Sequence, residues 1–172
     1  MNHKMKQTIY LGTDHAGFAL KEAVKKVLVK KDYIIEDCGA FTFNANDDYP
    51  DFVGKAAENV SEDPLTRRGI VFGGSGQAEM MVANKFKGVR CALFYTPGAP
   101  VGAADVTGRT STDPFEIVRL TREHNNANML SLSSRFLTEA DAITAVLMWL
   151  ETPFPGDERH VRRIQKIAAI EQ

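Results

Sequence analysis

The sequence predicts an α/β protein, an open and mainly parallel sheet with helices on both faces. Three observations predict it. Short β-type runs alternate with helically spaced segments about five times along the chain. The runs are short and apolar, with Gly at the ends of the first and third, as buried strands are. The chain has 172 residues, 44% hydrophobic and 25% charged, which is room and composition for one globular domain spanning residues 1–172.

The elements follow in order. Thr8-Ile9-Tyr10-Leu11, partly β-branched and closed by Gly12, predicts the first strand. Phe18, Leu20, Val24, Val27 and Leu28 recur at threes and fours and predict a helix whose other side carries Lys21, Glu22, Lys25 and Lys26. Tyr33-Ile34-Ile35 reads as the second strand and residues 39–48 as a loop. A helix over about 52–60 follows Pro50. Gly69–Phe72 is a third strand running into Gly73-Gly74-Ser75-Gly76, and the next helix spans Gln77–Phe86. Val89–Tyr95, Phe115–Glu123, Met129–Leu132 and Ala140–Leu150 then read as strand, helix, strand and helix. A basic segment from Asp157 ends in an amphipathic helical tail with Val161, Ile164, Ile167 and Ala168.

One stretch breaks the rhythm. Residues 96–113, rich in Pro, Gly, Ala, Thr and Ser, are long for a connection of this kind, where roughly 2–6 residues are usual. They form either a lid or a mobile surface loop.

Charge and composition exclude several functions. Lys+Arg 21 against Asp+Glu 22 leaves a formal charge of −1 and no field that favours nucleic acid or an anionic membrane. No apolar run approaches the roughly 18 residues of a membrane span. The basic residues 1–6 are not followed by the apolar core of a secretory leader. Cys38 and Cys91 are too few for a disulfide scaffold and read as two buried free thiols. A cytoplasmic setting is expected.

In a parallel sheet ligands sit beyond the carboxyl ends of the strands, which selects the loops after Leu11, Phe72 and Leu132. Gly73-Gly74-Ser75-Gly76-Gln77-Ala78-Glu79 is the strongest local signal. Glycines let the backbone turn sharply, and the unsatisfied N–H groups that follow suit a phosphate, a carboxylate or a developing oxyanion; the same pattern also makes a plain turn. The string is neither a Walker loop nor a full dinucleotide fingerprint, since Glu79 stands where Gly or Ala would be. Glu79 in a first helical turn is either a dipole partner or a general base beside an oxyanion cradle. Asp14 reads as an N-cap and His15 as a surface histidine, unless both face a polar ligand at the strand end. His124 gains from a helix C-terminus, and it is also the side-chain type suited to donate a proton near neutral pH. Arg159 and Arg163 share a helix face at i, i+4, and with Arg135 they make a phosphate site if they converge. Otherwise the tail is a solvated basic face. No zinc-type spacing occurs, and no metal or cofactor is expected.

These pieces in this order resemble the type B ribose-5-phosphate isomerases, which share a fold with the galactose-6-phosphate isomerase subunits. The resemblance rests on Gly12-Thr13-Asp14-His15-Ala16-Gly17, Asp48-Tyr49-Pro50, Gly73-Gly74-Ser75-Gly76 with Glu79, and Ala83-Asn84-Lys85 with Gly88-Val89-Arg90. His124-Asn125-Asn126-Ala127-Asn128, Ser134-Arg135, and Arg159-His160 with Arg163 complete it. It covers nearly the whole chain apart from the first residues and 96–113, and the ordered set is specific where any single motif is weak.

The resemblance implies a flavodoxin-like, doubly wound three-layer sandwich around a five-stranded parallel sheet, with a C-terminal helical tail. It implies a cofactor-free and metal-free aldose–ketose isomerase that works through a cis-enediolate, as a homodimer or tetramer with active sites shared between subunits. One branch of the family uses a cysteine base at the position of Gly73; a second uses a glutamate at the position of Glu79. By that resemblance Glu79 is the base, Ser75 shuttles a proton, and N–H groups from Gly74, Gly76, Gln77 and Ala78 hold the enediolate. His124 of a neighbouring subunit assists ring opening, with Asn125 beside it, and Asp14 holds a ring or hydroxyl oxygen. His15, Arg135, Arg159 and Arg163 hold the phosphate, and Tyr49 lines the pocket. Ala78 departs from the glutamate branch, which has glycine there, so the backbone at 78 must not need positive φ. The expected reaction is ribose 5-phosphate to ribulose 5-phosphate. The alternatives are a six-carbon sugar phosphate such as allose or galactose 6-phosphate, a non-catalytic sugar-phosphate sensor, and a nucleotide- or flavin-binding module.

Overall fold

The computed structural model describes residues 7–171, so the basic segment 1–6 lies outside it. Eleven elements follow one another: β1 (Thr8–Thr13), α1 (Phe18–Lys30), β2 (Ile34–Asp37), α2 (Tyr49–Glu62), β3 (Arg68–Gly73) and α3 (Gln77–Ala83), then β4 (Cys91–Phe94), α4 (Glu116–Asn125), β5 (Met129–Ser133), α5 (Glu139–Glu151) and α6 (Glu158–Ala168). The five strands form one all-parallel sheet in the order β2-β1-β3-β5-β4. Chain order turns back at β1, which lies between β2 and β3, and again where β5 enters between β3 and β4. The expected three-layer sandwich and helical tail are present. Compared with a 2-1-3-4-5 sheet the last two strands exchange places, which puts the wholly buried β5 inside and the partly exposed β4 at the edge.

Alternation along the strands feeds two cores, one on each face. Ile9, Leu11, Ile70, Phe72, Leu130 and Leu132 pack with Leu20, Val24 and Leu28 of α1, Val118 of α4, and Ala142, Val146 and Trp149 of α5. On the other face Tyr10, Val71 and Met129 pack with Val53, Ala56, Ala57 and Val60 of α2 and Ala83 of α3. Helices on both faces leave the strand ends as the place where backbone and polar side chains meet solvent, and the carboxyl ends carry the loops selected above.

Several local expectations are corrected. α3 stops at Ala83 and β4 starts only at Cys91, because the Asn84 side chain leaves the helix to pair with Cys91: Oδ1 accepts its N–H at 2.8 Å and Nδ2 donates to its carbonyl at 3.0 Å. Cys91 is buried, but Cys38 is only half-buried. Lys21 is not on the solvent side of α1. It is 0% exposed, with Nζ 2.7 Å from Asp37 Oδ1 and 2.6 Å from the Ala40 carbonyl. Its ammonium lies 5.7 Å and 5.8 Å from the Phe18 and Phe41 ring centres. The carboxylate at the end of β2 is what draws a lysine inward from the edge of the apolar stripe. Periodicity in one helix cannot report a partner on another element.

Within residues 96–113 Arg109 clamps the stretch to α4. Its guanidinium reaches Asp105 at 3.1 Å, Glu116 at 3.0 Å and Glu123 at 2.8 Å. The stretch lies along the flank of that helix.

Replacing Lys21 by Met keeps the volume and leaves Asp37 facing Lys25 alone. Urea unfolding is expected to show a loss of about 3 kcal/mol, the low end for breaking a buried pair. An unchanged midpoint would show that the ammonium contributes nothing net.

Candidate active site

Three strand ends build one polar cluster. After β1 the chain makes a separate turn before α1, which begins at Phe18 with Gly17 as N-cap. Asp14 is therefore not the cap of that helix, as its position suggested. Its buried carboxylate accepts the Ala16 N–H at 2.9 Å inside the turn. His15 is held by a residue the sequence did not single out: Asp47 Oδ1 accepts both the His15 backbone N–H at 2.9 Å and its ring Nδ1 at 2.7 Å. That bond raises the histidine above its ordinary 6.5 against some desolvation; the Asp14 charge adds and the Arg135 guanidinium opposes.

Gly73 ends β3, and its missing side chain decides where Glu79 sits. A Cβ on Gly73 would lie 1.9 Å from Glu79 Cδ, so the carboxylate occupies the volume a larger residue would fill. Glu79 is 4% exposed. Burial pushes its carboxyl up from the ordinary 4.5; a hydrogen bond from its own backbone N–H pulls the other way, and the Asp14 charge adds to the rise. The left-handed residue of this loop is Gly76, at φ 74°, where a Cβ would meet Leu93 at 2.8 Å. Ala78 is inside α3 and needs no positive φ, which accommodates its departure from glycine.

The loop is fixed from its neighbours. Ser131 Oγ donates to the Gly76 carbonyl at 2.6 Å, and Ser134 and Arg135 donate backbone N–H groups to the Gly73 and Gly74 carbonyls at 2.8 Å and 3.1 Å. Ser75 is half-buried, and its Oγ accepts the Gln77 N–H at 3.3 Å, so that N–H is turned into the loop. The exposed Arg135 guanidinium lies over Gly74, 3.2 Å from where a Cβ would be. Tyr49 opens α2 at the same end of the sheet and packs on the second core.

The other expected residues are not there. His124 and Asn125 end α4 and immediately precede β5, at the amino ends of the strands. The length of β5 alone, about 13 Å at ~3.3 Å per residue, separates that end from Arg135. The His124 ring stacks on His160 of α6, with centroids 4.3 Å apart and planes 10° from parallel. On α6 Arg159 is half-buried, with a buried Nε that has no hydrogen-bond partner among the described residues, and Arg163 is exposed. Burial lowers His160, and the charges of His124, Arg159 and Arg163 lower it further. One chain thus carries two polar groups at opposite ends of its sheet.

Asp14, His15 and Asp47 bring one ligand-type atom each within 4.8 Å, the one such grouping among the described residues. Its inner contacts are those of an ion pair: His15 Nδ1 already faces Asp47.

Comparison with known proteins fits this geometry. The model of the family described as Ribose/Galactose Isomerase matches residues 9–100 and 106–167. The chain belongs to this family. It is thereby an aldose–ketose isomerase. The break in the match, 101–105, falls within the stretch that Arg109 clamps to α4. Ribose-5-phosphate isomerase B of Mycolicibacterium paratuberculosis is 39% identical over 164 residues, covering 95% of this chain and 91% of that protein. A probable ribose-5-phosphate isomerase B of Mycoplasma genitalium is 38% identical, covering 98% of each chain. The crystal structure of the M. genitalium enzyme with bound ribulose-5-phosphate superposes with a TM-score of 0.82 at 36% identity, covering 95% of both chains. The Trypanosoma cruzi type B enzyme gives 0.81 at 32% identity over 97% of each.

A methyl group at residue 73 tests the niche. In Gly73→Ala the obstructed atoms are the far end of a flexible side chain, so the fold is expected to persist with its melting temperature within a few degrees. Isomerase turnover is expected to fall by about 100-fold or more, the usual worth of a positioned acid–base group. Wild-type turnover would show that the carboxylate does not work from this niche.

Proposed function

We propose that this isomerase interconverts D-ribose 5-phosphate and D-ribulose 5-phosphate through a cis-enediolate, with Glu79 as the base. The observation that carries the proposal is the Glu79 carboxylate, buried in the Gly73 niche beside Asp14 at the turn in strand order. The choice of sugar is supported by the names of the relatives and by the ribulose-5-phosphate held in the M. genitalium enzyme.

Asp14 holds a ring or hydroxyl oxygen while His124 assists ring opening. In the open chain Glu79 takes the proton from C2, the C1–C2 enediolate forms, and the negative charge moves to the carbonyl oxygen at C1. Backbone N–H groups of the Gly74–Ala78 segment stabilise that oxygen, with the Gln77 group released from Ser75 when substrate competes for it. Ser75 passes the hydroxyl proton from O2 to O1, and Glu79 returns its proton to C1, which leaves the ketone at C2. His15 and Arg135 hold the phosphate from one side and Arg159 and Arg163 from the other, with Tyr49 and Asn125 lining the pocket. No added cofactor takes part in these steps.

A single chain cannot close this site, because His124, Asn125, Arg159 and Arg163 stand at the opposite end of the sheet from Glu79. A twofold pair brings one end of each chain to the other end of its partner and makes two equal sites, so the proposal includes a homodimer, alone or paired into a tetramer. Among the described residues no helix is long and apolar enough to cross a membrane. The free Cys38 and Cys91 suit a reducing, cytoplasmic setting.

The test is an NMR time course with ribose 5-phosphate in D₂O. Ribulose 5-phosphate carrying deuterium at C1 is the expected product. Absence of conversion, with turnover of allose or galactose 6-phosphate in parallel samples, would reassign the sugar. In Glu79→Gln turnover is expected to fall by about 1000-fold or more while substrate binding changes little. Arg163→Ala is expected to raise KM with kcat nearly constant; an unchanged KM would make Arg163 a solvated face residue.

The pH dependence follows from the raised Glu79 carboxyl. A base works deprotonated, so kcat/KM is expected to fall as pH drops through a value above 4.5. The folded state binds this proton more tightly than the unfolded chain, so ionisation of Glu79 costs stability that is absent at low pH and accrues as pH rises through the folded value. Glu79→Gln is therefore expected to melt above wild type near pH 8 and together with it near pH 4. Coincident melting at both pH values would contradict the burial of a charged base.

A further inference from the structure

We propose that Asp47 is a positioning residue that holds the His15 imidazole charged and aimed at the substrate phosphate. The inference rests on the assignment of His15 to the phosphate.

The geometry is specific. Asp47 takes the backbone N–H and the ring Nδ1 of His15 on the same oxygen, at 2.9 Å and 2.7 Å, which fixes both the main chain and the ring plane. Nδ1 is thereby committed as a donor. A neutral His15 in this arrangement carries its lone pair on Nε2 and turns it toward the phosphate, where it repels. Only the imidazolium donates from Nε2, as a charge-assisted hydrogen bond to a phosphate oxygen. The same carboxylate that aims the ring must therefore also keep it protonated.

Asp47 needs the cation in return. Its side chain is 8% exposed, and Oδ2 is buried without a hydrogen-bond partner among the described residues. A buried carboxylate oxygen without a partner is costly, and the cation held on the other oxygen offsets that cost. The neighbouring charges act in both senses: Asp14 Oδ2, 3.9 Å from Nδ1, favours the imidazolium, and Arg135 opposes it. Phe43 closes the side of the ring edge-on, at 6.2 Å between centroids. The loop that carries Asp47 is itself held at its start by Lys21 through the Ala40 carbonyl.

The experiment compares wild type, Asp47→Asn, Asp47→Glu, His15→Gln and the double variant by ribose 5-phosphate kinetics and inhibition by inorganic phosphate across pH. The His15 imidazole is titrated by NMR. Asp47→Asn is expected to raise KM and the phosphate inhibition constant about tenfold near pH 8 and less near pH 6, with kcat within about threefold. The His15 midpoint is expected to fall toward its ordinary value, Asp47→Glu to recover part of the affinity, and Asp47→Asn to add little to His15→Gln. A pH-independent loss, a loss confined to kcat, or additive effects in the double variant would overturn the role. If Asp47→Asn does not fold, a wild-type His15 that titrates below its ordinary value would overturn it as well. Failure of the wild type to turn over ribose 5-phosphate would instead count against the substrate, and the NMR titration with inorganic phosphate would still decide the Asp47–His15 coupling.

Discussion

The site depends on one missing methylene-sized volume. Gly73 ends a central strand without a Cβ, and the Glu79 carboxylate folds back from the next helix into that space. Any side chain at 73 would push the carboxylate out of that space. The two residues are one structural unit six positions apart. The niche explains why the carboxylate is buried, and burial beside Asp14 explains why its proton is held more tightly than usual. A side chain at 73 and the Glu79 carboxylate in its present place exclude each other for the same steric reason.

The loops at the carboxyl ends are also held by short polar ties. The Gly-rich loop hangs on Ser131, Ser134 and Arg135 of the neighbouring strand and its following turn, and the loop after β2 hangs on Lys21. Buried polar contacts of this kind are costly unless completed, so they specify one loop geometry where an apolar contact would allow several. They also place the candidate site residues at the ends of strands that are packed on both faces.

The far end of the sheet carries a second polar group with a different character. His124 and His160 stack face to face, with Arg159, Arg163 and Asp157 of the same segment acting on His160. The expected site residues are thus divided, with His15, Glu79 and Arg135 at one end of the sheet and His124, Arg159 and Arg163 at the other.

The strands, the helices and the three strand-end loops were legible in the sequence because they are written in local pattern: apolar runs, three-four spacing, and glycines at turns. Glu79 and the Gly73 loop were legible for the same reason, as neighbours along the chain. The helical spacing puts Lys21 on the solvent side, and Asp47 falls unremarked within the 39–48 loop, because each is defined by a partner on another element: Asp37 lies 16 residues from Lys21, and His15 lies 32 from Asp47. Nor did the chain show that β5 inserts inside β4, since both are short apolar runs and only the packing of α4 and α5 on the sheet distinguishes them. The sequence by itself determined the layers, the strand ends and the candidate base. Tertiary structure alone decided which charges meet, because an ion pair between distant segments leaves no periodic trace in either one.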